Sequence, residues 1–237
     1  MPELKLLPSK IMATADQLER RVIERFPGSG LVEISHELQQ IARIAKNQSE
    51  QLARPVYLAR AAMVVSLALL GMVIVFVFIN AFPTIENMLR MDTADRLQSV
   101  ESGIQQMVAA GIAFLFLFNL ERRIKRQRAL KAINRLRTVA HVIDMHQLTK
   151  DPATFFATLG PTESSPPRQL SAAELVRYLD YCSEMLSLLG KVAALYIQQF
   201  EDPVALAAAS EVEQLTTGLS QKIWQKIMIT EKIERSE

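Results

Sequence analysis

Residues 171–193, SAAELVRYLDYCSEMLSLLGKVA, decide the fold. Ser171-Ala-Ala-Glu174 has the spacing of a capping box, in which serine and glutamate side chains satisfy backbone amides left free at a helix start. Leu175, Leu179, Cys182, Leu186, Leu189 and Ala193 follow at alternating steps of four and three. That is a heptad-like seam along one helix face. Glu201-Asp202-Pro203 ends this helix and begins another, with Asp202 as cap and Pro203 in the first turn. Leu215, Leu219, Ile223, Ile227 and Ile233 mark the face of the second helix. So short a connection predicts antiparallel neighbours.

The same periodicity extends towards the N-terminus. Ile11, Leu18, Val22 and Phe26 recur at helical spacing within 9–26, and PGSG (27–30) breaks the pattern. Leu31, Ile34, Leu38, Ile41, Ala45, Gln48 and Leu52 then step by three and four, the stripe of a helix that packs on another helix. Leu120, Ile124, Ile133, Leu136, Ala140 and Ile143 carry a further stripe to about residue 148, where Lys150-Asp151-Pro152 stops it. GPTESSPP (160–167) reads as a loop. No segment alternates as a strand does, and no internal repeat is visible. The fold class expected is all-α, a helical bundle or coiled-coil module built from N- and C-terminal segments.

Two apolar runs lie between those segments. Residues 61–82, AAMVVSLALLGMVIVFVFINAF, carry no charge over about 33 Å of helix, enough to cross a bilayer core. Residues 103–120 are also uncharged, with Gln105, Gln106 and Asn119 near the ends. Lys and Arg are sparse between the runs and dense after them: eight of the sixteen residues from Arg122 to Arg137 are basic. By the positive-inside rule both termini are expected in the cytoplasm, with the linker outside. The expected localisation is an integral membrane protein, by default of a bacterial inner membrane. The first run starts too late for a cleavable signal peptide. The single cysteine, Cys182, excludes an internal disulfide and is expected in the core.

The domain plan that follows has N-terminal helices over 1–56, a first transmembrane helix over 57–82 and an external linker over 83–102. A second transmembrane helix spans 103–120 and a basic stalk helix 121–150. A loop over 151–170 leads to a C-terminal helical hairpin over 171–237.

Candidate functional residues are few. Arg122, Arg123, Lys125, Arg126, Arg128 and Lys131 surround a helix and suit contact with anionic lipid headgroups. Glu86, Asp92, Asp95 and Glu101 in the linker would line the outer mouth of a pore if several copies met around an axis. Ala109, Ala110, Gly111 and Ala113, with Ala68 and Gly71, are small-residue patches that let helices approach closely. His141, Asp144 and His146 are the one cluster resembling a metal site, but helix-borne zinc ligands usually stand four apart with a glutamate between them. No metal is assigned.

The charge balance of 27 bases against 25 acids argues against a dedicated nucleic-acid binder. There is no glycine-rich phosphate loop and no nucleophile elbow. The chain is therefore expected to need no cofactor and to be a non-enzymatic scaffold or regulatory module at a membrane face. Its expected partners are lipid headgroups and either its own copies or another helical protein. The alternative is an oligomeric ion channel or transporter with an acidic outer mouth.

Overall fold

The computed structural model describes residues 5–53, 119–150, 170–198 and 200–234. It also describes Tyr57, 61–68, 70–72, Val75, Glu101, Gln105, 108–109, 111–112, 114–116 and Pro152. All regular structure among these residues is helical, and none is strand. The long helices are α1 (Pro8–Arg25), α2 (Gly30–Ala53), α3 (Leu120–Leu148), α4 (Ala172–Gln198) and α5 (Pro203–Glu234). The chain divides into two compact units, one formed by Met1–Ala53 with Arg126–Glu237, the other by Arg54–Lys125.

The first unit is a helical bundle organised on α4. Leu175, Leu179, Cys182, Leu186, Leu189, Ala193 and Tyr196 are buried, as the seam requires, but so are Tyr178, Tyr181, Met185, Leu188, Val192 and Leu195 beside it. A helix with so broad an apolar face belongs at the centre, with Arg177, Ser187 and Lys191 left on its exposed edge. Accordingly α4 approaches α5, α2 and α1 closely, whereas α3 meets its neighbours at longer range through side chains.

Local chemistry sets the helix ends. At the start of α4, Ser171 N–H donates to Glu174 Oε2 at 2.8 Å and Glu174 N–H donates back to Ser171 Oγ at 3.3 Å. Pro8 opens α1, where its missing N–H has no helical partner to lose. Between α1 and α2, Gly28 takes φ +74°, a left-handed conformation that side chains disfavour. Phe26, at the end of α1, places its ring edge-on to Tyr178 and Tyr181 of α4 at 5.5 and 6.1 Å.

Side-chain pairs fix directions and register. Gln39 donates to Asp16 at 2.7 Å and His36 meets Glu19 at 2.8 Å, so α2 returns antiparallel along α1. Arg135 pairs with Glu37 at 3.3 Å while His146 lies against Gly30, so α3 is antiparallel to α2. Along α5, Arg126 meets Asp202, Arg137 meets Glu211 and Lys226 meets the Gln147 carbonyl, so α3 and α5 run parallel. Successive helices therefore alternate up and down. The chain leaves this unit after Ala53 and re-enters it at Arg126 at the same end of the bundle.

The second unit, Arg54–Lys125, corrects the membrane expectation. No helix among the described residues is long and apolar enough to cross a membrane. This overturns the expected localisation as an integral protein of a bacterial inner membrane with both termini cytoplasmic, and leaves the two-pass transmembrane part of the fold class without support. The linker 83–102 lies outside the described residues save Glu101, as does the loop 151–170 save Pro152 and Leu170.

Candidate functional site

Six cations were singled out on the basic helix, and the structure divides their work. Lys125 pairs with Glu121 at 3.2 Å, an i,i+4 pair within the helix. Arg126 is committed to the bundle: its Nε lies 3.0 Å from both oxygens of Asp202 and its Nη2 2.8 Å from Oδ2. Arg122 and Arg123 are exposed. Arg128 and Lys131 are exposed and have no ion-pair partner among the described residues.

Asp202 is the counterpart of this arrangement. Its side chain is fully buried, and Oδ1 also accepts from Val204 N–H at 3.1 Å and Ala205 N–H at 3.2 Å, capping α5. Burial pushes its carboxyl up, but the Arg126 guanidinium and the two amides outweigh burial and hold it below the usual carboxylate range. The pair ties the α4–α5 turn to α3. A second clamp closes the other end, where Lys226 Nζ donates to the carbonyl of Gln147 at 2.8 Å. The two lie about 32 Å apart along α3.

Between α2 and α3 is a cleft of about 220 Å3. It exists because α3 stands off from α2, leaving side chains to span the gap. One wall is the stripe Ile41, Ile44 and Gln48 of α2, at i, i+3 and i+7. The other is Arg128, Lys131, Ala132 and Arg135 of α3, also within one face. Tyr196 of α4 joins the lining and donates its hydroxyl to Gln48 Oε1 at 2.9 Å. Burial pushes that phenol up to about 12, with Arg135 acting in the opposite direction. No carboxylate lines the cleft. Arg135 also reaches Glu37, but both side chains are about half exposed, so that pair is weak.

The remaining sequence candidates are placed as follows. Asp144 accepts from Gln147 Nε2 at 2.6 Å, His146 packs against Gly30, and His141 is exposed. No three His, Cys, Asp or Glu side chains among the described residues converge to hold a metal ion. Glu101 is exposed and accepts from Gln105 at 3.5 Å, while Glu86, Asp92 and Asp95 lie outside the described residues. Cys182 is fully buried, and burial raises its thiol to about 12, which makes it a poor nucleophile.

The sequence reading missed Tyr196, Gln48's role beside it and the division of the cations. Tyr196 had a signal: it is the next position of the α4 seam, three residues after Ala193, where its phenol must be buried beside a hydrogen-bond partner. Compared with models of protein families, with curated proteins and with solved structures, the chain matches none of them.

Proposed function

We propose that this chain is a non-enzymatic helical assembly module, in which copies associate through the Arg54–Lys125 unit and present the helical bundle to partners. The observation that carries this reading is apolar exposure. Val64, Met72, Val108, Ile112, Leu115 and Phe116 are each more than half exposed. Large apolar side chains left open at that density mark a surface that another molecule covers.

The glycines of the same unit support self-association. A Cβ placed on Gly71 or Gly111 would meet no atom within 4 Å. These small-residue faces are open to close approach by another helix. A second copy brings the same faces, so an isologous contact is self-complementary.

Cross-linking tests the reading. Ile112→Cys places a thiol on the exposed face, while native Cys182 is buried and silent. Copies should cross-link through position 112 at low protein concentration and remain uncross-linked when the thiol sits instead at exposed Asn134. Equal, concentration-driven cross-linking at both positions would reject a specific interface.

A further inference from the structure

We infer that the cleft between α2 and α3 binds a phosphate ester carried on an aliphatic stem. Arg128, Lys131 and Arg135 supply the anion-binding side, and Ile41, Ile44 and Ala132 supply an apolar side opposite. The inference does not depend on self-association, because every residue it uses lies in the bundle.

Three observations point to this ligand chemistry. First, Arg128 and Lys131 have no ion-pair partner among the described residues, and their i,i+3 spacing directs both to one face. Cations gathered without counter-charges repel one another and favour an anion between them. Second, guanidinium and ammonium groups together suit phosphate: arginine bonds two oxygens in a fork, and lysine adds a point charge. Third, the facing wall is aliphatic, with Ile44 more than a third exposed. A free inorganic anion would leave that wall wet, whereas an ester with a carbon stem covers it.

Gln48 sets the polar end of the cleft. Its Oε1 is occupied by the Tyr196 hydroxyl, which fixes the amide, and its Nε2 donors have no partner among the described residues. They are available to an ester or phosphate oxygen. At about 220 Å3 the cleft is smaller than sites that enclose drug-sized molecules. It accommodates a phosphate and the first carbons of its stem, with the remainder outside. Such a group occurs both as the headgroup of an anionic phospholipid and as a free phosphorylated metabolite.

The test uses the full chain and soluble dihexanoyl phosphatidic acid, kept below its micelle concentration, followed by calorimetry. Saturable binding is expected, weakened about tenfold or more in Arg128→Gln/Lys131→Gln. Arg122→Gln/Arg123→Gln, outside the cleft, should leave it unchanged. Ile44→Asn should weaken the ester but not inorganic phosphate. In parallel, phosphatidylcholine vesicles with and without phosphatidic acid separate the sources. Capture only by phosphatidic acid vesicles, lost in the Arg128/Lys131 variant, assigns a lipid headgroup; saturable binding of the soluble ester assigns a site open to free ligands as well. Equal losses in the two paired variants, or no binding by ester or vesicle, would overturn the inference. The four cations are exposed, so these variants should keep wild-type helicity and melting temperature.

Discussion

Arg126 and Asp202 form a two-pronged ion pair, with the carboxylate wholly buried and shared between the guanidinium and the first amides of α5. The pair joins residues 76 positions apart and makes the basic helix part of the bundle. Its base, singled out from the sequence for lipid headgroups, closes the junction where α4 turns into α5.

The pair makes acid stability a readout of this junction. The Asp202 carboxyl is depressed in the folded chain, so its contribution is fully present above its unfolded value of about 3.9 and is lost as pH falls through the lower folded value. Asp202→Asn retains a capping side chain but not the charge. Thermal melts between pH 7 and pH 3 should show the variant losing less stability on acidification than wild type. Parallel pH profiles for the two proteins would contradict the assignment.

Asp202→Ala removes the cap as well. It should cost at least the roughly 1 kcal/mol of a lost helix cap, with a further cost from the broken ion pair. Urea denaturation of the two variants separates these contributions: the alanine variant should be less stable than the asparagine variant at neutral pH.

Gly30 begins α2 beneath the ring of His146, and a Cβ there would run into the imidazole. Gly30→Ala makes the far end of the His146 side chain shift and should destabilise by about 1 kcal/mol. His146→Ala in the same chain should recover most of that loss, a coupling that a double-mutant cycle measures directly. Independent, additive effects would show that the two residues do not touch.

Leu189 is fully buried on the central helix. Leu189→Ala should cost about 2–5 kcal/mol, the range for an interior leucine whose cavity only partly collapses. Cys182, equally buried, should resist iodoacetamide in the native protein and react once the chain is unfolded in urea. Rapid native labelling would mean that α4 is not central.

Much of the bundle is legible because its cause is local. Ile11, Leu18 and Val22, the stripe from Leu31 to Ala45, and the α4 seam all repeat at helical spacing, and all are buried. The capping box at Ser171 and the cap at Asp202 lie within four residues of their partners, so adjacent sequence reveals them. The cleft is not legible in this way. It depends on Arg135 facing α2 and on Tyr196 reaching Gln48 across 148 positions, and no periodicity encodes such distances. Charge density alone also made all six cations look equivalent, although a buried acid claims one and a neighbouring glutamate another. The apolar runs were read as spans from composition, and no helix among the described residues is long and apolar enough to bear that reading out.

Assembly is the central claim, and the mass of the full chain tests it most directly. Light scattering should be measured in a mild detergent that suppresses non-specific association, with bound detergent subtracted. A defined dimer or larger closed assembly, unchanged on dilution and shifted towards monomer by Ile112→Asp/Phe116→Asp, is the predicted result. A monomer at every concentration would contradict the account.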